Sequence, residues 1–421
     1  MRCSCLFQPK TAAAGDAGRR ATVRIRPSRT GMTTLLLVLA FTTLCTGCAP
    51  HRNRDHCTFF PPKPIIAAQV DLDYVYDADR AQQEHNLALL IDRVQGLGIT
   101  TVWLQAFADP DGDGVARELY YPNRFLPMRA DLFHKVAGSL RRAGVEVYAW
   151  LPLLALDPGP GHGDLLVHSF RDQGNEKPGS GLRLSPFHPL ARKIIRGIYE
   201  DLAVGGPLDG ILFHDDGTLS DFEDDSPAAR KVYQQAGFPG SIGAIRSNPA
   251  LFRRWSSFKT RYLVDFSLSL LDTVRRIRPG IRSARNLYAL AVLQPQSEEW
   301  LAQSLPLFLQ AYDYTVLLAM PYMEEAADPE QWLKRLARKG LARTLRPQSL
   351  VFELQTVDWR QRRKISSPEI VRQVRLLRQQ GALSFAYYPD DFFHDHPNKV
   401  LLGLAFAGAA GTPAGGKEHH D

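Results

Sequence analysis

From Ile65 onward the chain alternates short apolar runs with amphipathic stretches, eight times over. Ala67–Asp73, Thr100–Ala106, Glu146–Leu151, Gly210–His214, Ser283–Leu287, Thr315–Met320, Ser349–Leu354 and Leu383–Tyr388 read as strands. Their apolar runs suit strands buried on both faces. Between and after them, residues 84–96, 131–143, 189–204, 250–277, 298–310, 329–343, 368–380 and 398–406 read as helices. In the first, Leu87, Leu90, Ile91 and Val94 form one face and Gly98 ends the run. Strands that alternate with helices imply parallel crossovers, and a count of eight favours an α/β fold closed as a (β/α)8 TIM-like barrel over an open doubly wound sheet. No G-x-G-x-x-G follows a strand and no G-x-x-x-x-G-K is present, so dinucleotide and P-loop chemistry have no support. The irregular stretches 157–185 and 217–248 follow strands, and are therefore expected on the catalytic face.

The barrel is expected over residues 65–410, with a tail at 411–421. Charge locates what precedes it. The 421 residues carry a net +7, but residues 1–47 alone carry +6 and the remainder only +1. The excess therefore belongs to the N-terminus, and nucleic acid is not an expected partner. A basic region, Arg24–Arg29, precedes the apolar stretch Thr33–Thr43, which is shorter than the ~20 residues of a comfortable span. Leu44-Cys45-Thr46-Gly47-Cys48 resembles a bacterial lipobox. We expect residues 1–47 to be a lipoprotein signal peptide with a basic extension, starting at Met1 or Met32, with Cys48 as the acylated residue and 48–64 as a tether. Ala49 after the cysteine favours the outer membrane in that sorting pattern, which places the protein in the periplasm on a lipid anchor. Only Cys48 and Cys57 then remain, too few for an internal disulfide once one is acylated.

Polar residues collect at the expected carboxyl ends of the strands: Asp71 and Asp73, Gln105 with Asp109 beyond, Trp150, the run His214-Asp215-Asp216, Arg285 and Asn286, Tyr322, Glu353 with Trp359 beyond, and Tyr387. A barrel gathers these at one mouth. Helix N-capping accounts for one or two of the acids, not for the whole set. An acid-rich, aromatic-rich mouth suits a carbohydrate, and a cationic amino sugar better still. If strand alternation continues past His214, Asp216 shares its side and faces the mouth, leaving Asp215 in a supporting role. The second group of a glycosidase is then a carboxylate such as Glu353 or Asp73, or the substrate's own acetamido group. Asp109-Pro110-Asp111-Gly112-Asp113-Gly114 matches four positions of an EF-hand loop, but Tyr120 stands where its bidentate Glu belongs; a polar loop at the rim is the expected reading. His394 and His396 have no zinc-ligand partners at useful spacing, and no G-x-S-x-G occurs. No metal or cofactor is called for.

QVDLDYVYD (69–77), TVWLQAFADPDGDG (101–114), LYYPNRFLPMRADLF (119–133), RLSPFHP (183–189) and GILFHDDGTLSDFEDDSP (210–227) closely resemble the C-terminal glycoside hydrolase domain of the PgaB family, periplasmic N-deacetylases of the biofilm polymer poly-β-1,6-N-acetyl-D-glucosamine. The similarity covers roughly residues 65–406. It implies a barrel that binds and hydrolyses the partially deacetylated polymer, with the essential acid inside the stretch matching Phe213–Asp216. About 17 residues separate Cys48 from Ile65, too few for the family's deacetylase domain. Deacetylation by this chain is therefore not expected; a separate deacetylase would supply the substrate, beside an export porin. The rival expectation is a non-catalytic module that binds polymer and assists its export.

Overall fold

A computed structural model describes residues 62–172 and 181–408; Cys48, the signal peptide, the start of the tether and the 411–421 tail lie outside the described residues. Eight strands, β1 (Ile66–Val70), β2 (Thr101–Gln105), β3 (Glu146–Leu151), β4 (Gly210–Phe213), β5 (Arg282–Leu287), β6 (Tyr314–Ala319), β7 (Leu350–Gln355) and β8 (Ser384–Tyr388), close in chain order into a parallel barrel. The register carries Ala67 opposite both Thr101 and Ala386, so β1 closes the ring between β2 and β8.

The helices α1 (Arg80–Leu97), α2 (Phe133–Arg142), α3 (Pro189–Gly205), α4 (Pro227–Gln235), α5 (Ile242–Arg246), α6 (Pro249–Ile277), α7 (Leu290–Leu293), α8 (Glu298–Leu301), α9 (Leu305–Ala311), α10 (Pro329–Leu341), α11 (Ser367–Gln379) and α12 (Lys399–Ala407) wrap or cap the barrel. Local chemistry sets their ends. Asp79 caps α1 by accepting from the Ala81 N–H, and Gly98 closes it at φ 66°, a left-handed conformation that favours glycine. Asn248 caps the 29-residue α6 through the N–H groups of Ala250 and Leu251. The first and last βα units are clamped by Arg93, whose buried guanidinium donates to Asp390, Asp395 and the Pro397 carbonyl.

Two expectations about elements are corrected. The helix anticipated over 298–310 is two pieces: Ala302 turns left-handed at φ 50° and α9 restarts with Pro306 in its first turn. A proline inside a continuous helix would remove a backbone hydrogen bond and clash with the preceding turn. The stretch 217–248 is not irregular throughout, because Ser226 and Ser241 cap α4 and α5.

The barrel's lower interior is packed with aromatic rings. Tyr148 and Tyr314 meet at 6.4 Å across it, and Gly210 lies against Tyr148. A Cβ at Gly210 would fall 2.4 Å from the Tyr148 ring, which is buried and has little room to move. Gly210→Ala is therefore expected to destabilise the fold by about 2–3 kcal/mol, the cost of overpacking a filled core. Urea denaturation with an unchanged m-value would check it.

Candidate active site

A pocket of about 750 Å³ opens at the carboxyl ends of the strands. Strand alternation puts every second residue inside, so Gln69 and Asp71 of the β1 region, Gln105, Trp150, Asn286 and Glu353 all line it. Just past the strand ends, Asp73, Asp109, His214, Asp215 and Trp359 complete the expected set at the mouth.

Asp216 is not among the lining residues, and its expected direction is corrected. β4 ends at Phe213, so alternation stops before the acids. Asp215 turns to the pocket, where Tyr288 donates its hydroxyl at 2.8 Å and His214 Nε2 stands 3.2 Å away. Asp216 turns to the loop after β3 instead. Its carboxylate accepts the N–H groups of Leu153 (2.9 Å), Leu154 (2.5 Å) and Ala155 (2.7 Å), tying the ends of β3 and β4 together.

Three further expected residues sit outside the pocket. Arg285 is fully buried on the outer side of β5, donating to Tyr312 and to the Gly217 carbonyl at 2.9 Å each. Its neighbour Asn286 takes the inward place, as the two-residue period demands. Tyr387 likewise faces outward, onto Asp390 and the Phe406 ring, while Tyr388 faces in. Tyr322 sends its hydroxyl to Glu369. Among the described residues, none of those in the long loops 157–185 and 217–248 lines the pocket. Arg183–Glu223 and Ser185–Asp224 join them, and the buried Lys259 ammonium donates to the carbonyls of Ser220 and Glu223.

At the floor, Glu353 is 1% exposed. Its Oε2 accepts from Asn286 at 2.9 Å, while Oε1 has no protein partner. Burial, then the nearby Asp215 charge, push its carboxyl up to about 8, so it holds a proton at neutral pH. Asp71 is also pushed up to about 8 by burial and by Asp73, against a hydrogen bond from Tyr388 at 3.2 Å. Asp73 accepts from Tyr120 at 2.5 Å and from the Asp109 N–H at 2.8 Å. The Asp109 carboxylate turns back on its own loop, taking the N–H groups of Asp113 and Gly114, while Asp113 pairs with Arg117. These carboxylates order the rim, the role expected of a polar loop. Elsewhere, His394 contacts Asp391 and His396 contacts the Thr356 carbonyl.

An aromatic wall stands beside the acids. Trp150 meets Phe107 at 5.4 Å, His214 at 5.2 Å and Tyr388 at 5.6 Å, and Trp359 lies 6.1 Å from Tyr388. The Trp150 Nε1, Gln69 Oε1 and Asn286 Oδ1 are buried without protein partners. Such a floor offers hydrogen bonds that a polyhydroxylated ligand can complete. Sequence reasoning missed Gln69, and of the Tyr387–Tyr388 pair at the end of β8 it chose Tyr387 for the mouth where Tyr388 stands. Gln69 was findable, standing two residues before Asp71 on the same strand face. Choosing Tyr388 over Tyr387 needed the register of β8.

Residues 69–388 match the family described as hypothetical glycosyl hydrolase family 13. The chain belongs to that family. The glycoside hydrolase domain of PgaB (BpsB) from Bordetella bronchiseptica is 49% identical to it, with a TM-score of 0.78 over 82% of this chain and 99% of that one. The barrel is accordingly a glycoside hydrolase domain of the PgaB type. A poly-β-1,6-N-acetyl-D-glucosamine N-deacetylase of Escherichia coli K12 is 45% identical over 357 residues, 82% of this chain. The chain spans about half of that relative, 53% of its length. A β-galactosidase from Rahnella sp. R3 shares the barrel fold alone, at 12% identity and a TM-score of 0.57 over 84% of this chain and 57% of that one.

Proposed function

We propose that this barrel cleaves partially deacetylated poly-β-1,6-N-acetyl-D-glucosamine internally by acid catalysis, with Asp215 and Glu353 as the reacting pair. The observation that carries this reading is that two carboxyl groups, Asp215 beyond β4 and Glu353 on β7, line one pocket, where burial and the Asp215 charge push the Glu353 carboxyl up to about 8. Glycoside cleavage needs one carboxyl that donates a proton to the departing oxygen and one group that meets the positive charge at the sugar carbon. A singly protonated pair supplies both. Glu353, whose carboxyl is raised, is the proton donor, and Asp215 is the group that meets the positive charge. The wall of Phe107, Trp150, Tyr388 and Trp359 gives sugar rings apolar faces to stack on. Asp71, Asp73 and Asp109 stand beside it, where the ammonium of a deacetylated unit gains charge-assisted hydrogen bonds.

The same reading makes the protein a periplasmic lipoprotein held to the outer membrane through Cys48. A deacetylase supplies its substrate and an export porin receives the polymer. Incubating the protein with partially deacetylated polymer, followed by mass spectrometry of the products, tests the activity. Short oligosaccharides with new reducing ends are expected. Intact polymer that still co-sediments with the protein would instead make it a binding module for export.

A further inference from the structure

The outer wall formed by α10, α11 and α12 contrasts with the acidic mouth. Residues 331–346, 370–389 and 396–408 contain ten Lys and Arg and no Asp or Glu. The chain from Cys48 onward carries only +1 in all, so the rest of it is net negative. The three helices pack side by side. Arg335, Arg338, Lys339 and Arg343 are exposed along and just after α10, and Arg372 and Arg375 along α11.

Apolar side chains project from the same wall. Leu345 is 102% exposed, Leu404 67%, Val400 64%, Leu383 47% and Leu401 43%. Val400, Leu401 and Leu404 share one face of α12. Leu345 lies in the turn that leads to β7, and Leu383 immediately precedes β8, so both stand at the amino ends of adjacent strands. Contacts join these pieces into one surface. Ser384 donates its hydroxyl to the Gln348 carbonyl at 2.7 Å, and Arg378 reaches the Phe406 carbonyl at 2.9 Å. The chain enters the barrel at this same end, where the Ile65 N–H donates to Ser384 Oγ at 3.1 Å. Cys48, the expected acylation site, stands 14 residues before Pro62.

We propose that the α10–α12 wall and the adjoining amino-terminal pole of the barrel form a docking face for an anionic phospholipid surface. Leu345, Leu383 and Leu404 enter the headgroup region, and Arg338, Arg343 and Arg375 meet the lipid phosphates. Exposed leucines accompanied by cations, with the carboxylates Glu330 and Glu369 confined to the first turns of α10 and α11 and Asp92 paired with Lys399, are the chemistry of interfacial membrane binding. An acidic protein groove would satisfy the arginines but would leave scattered single leucine tips without one apolar hollow. Because the pole lies opposite the carboxyl ends of the strands, docking turns the pocket away from the bilayer. The inference rests on the reading that the protein works at a membrane, and not on its cleavage chemistry. No helix among the described residues is long and apolar enough to span a membrane, so contact through this wall is peripheral.

The chain from residue 48, with Cys48 and Cys57 replaced by serine so that neither the basic, apolar residues 1–47 nor an acyl group drives binding, can carry an environment-sensitive dye at Leu404→Cys, at Leu345→Cys or, as a control in the loop before α2, at Met128→Cys. Vesicles containing phosphatidylglycerol are expected to shift the emission of the first two to the blue and to leave the third unchanged. Phosphatidylcholine vesicles should produce no shift. Arg343→Glu/Arg375→Glu is expected to weaken partitioning about 10-fold at low salt, with the difference shrinking at high salt. Cleavage of soluble polymer by this variant should not change, which separates failure of docking from failure of the proposed activity. An unshifted dye at both leucines on vesicle-bound protein would overturn the proposal. So would unchanged partitioning of the double variant. A dye already blue-shifted before vesicles are added would assign the face to another segment of this chain or to a second copy, and would also overturn it.

Discussion

Asp215→Asn is expected to lower polymer cleavage about 10³-fold, within the range for losing a positioned acid or base, while leaving the melting temperature close to that of the parent. Its carboxylate faces the pocket, and its hydrogen bond from Tyr288 at 2.8 Å can be kept by the amide oxygen. The neighbouring Asp216→Asn should behave in the opposite way. An amide has one accepting oxygen, whereas the native carboxylate uses both to hold three backbone N–H groups. At least one of those groups loses its partner, and the amide nitrogen adds a donor facing donors. The cost is about 2–4 kcal/mol, which in a barrel of this size lowers the melting temperature by roughly 3–5 °C. Below that temperature the variant should still cleave. Calorimetry and product assays on the two variants side by side decide the matter. Abolished turnover with an unchanged melting temperature in Asp216→Asn, together with full turnover in Asp215→Asn, would move the chemistry to Asp216.

The second large effect concerns Glu353. Cleavage needs the proton that burial and Asp215 hold on it, so activity is expected to fall as pH rises through about 8. Glu353→Gln cannot donate that proton and should lose about 10³-fold or more in turnover. Stability carries an independent signature. A carboxyl whose folded value is raised above its unfolded value binds its proton more tightly when folded. Its contribution is therefore fully present below the unfolded value, near 4.5, and is lost as pH rises through about 8. Asp71 acts in the same direction between 3.8 and about 8. The parent protein should consequently melt at a lower temperature at pH 9 than at pH 6. Glu353→Gln should shrink that difference, because a neutral amide can still accept from Asn286 without paying for a buried charge. Equal pH dependence in the two proteins would refute the assignment of the raised group to Glu353.

The barrel itself was legible before any coordinates. Strand signals in this chain are apolar runs, and these become buried on both faces, so the eight strands stand within a residue or two of their expected limits except at the carboxyl end of β1, which stops at Val70. Local punctuation was read less completely. Pro306 divided an expected helix, and the Ser226-Pro227 pair started one inside an expected loop. Both signals are local and could have been applied.

The chemistry of the mouth followed from sequence because residue type and strand position are both one-dimensional facts. Asp71, Asp73, Gln105, Asp109, Trp150, His214, Asn286, Glu353 and Trp359 all reach the pocket. What sequence could not decide was the direction of one side chain against its neighbour. The pairs Asp215/Asp216, Arg285/Asn286 and Tyr387/Tyr388 each hold one residue that faces the pocket and one that does not. Within a strand that choice is set by register across the barrel, and beyond Phe213 by which backbone N–H groups a loop leaves unpaired. Register and unpaired donors arise only when segments far apart in the chain meet. Sequence by itself therefore determined the barrel and the inventory of its mouth; tertiary structure alone decided which member of each pair faces the pocket and which holds the barrel together.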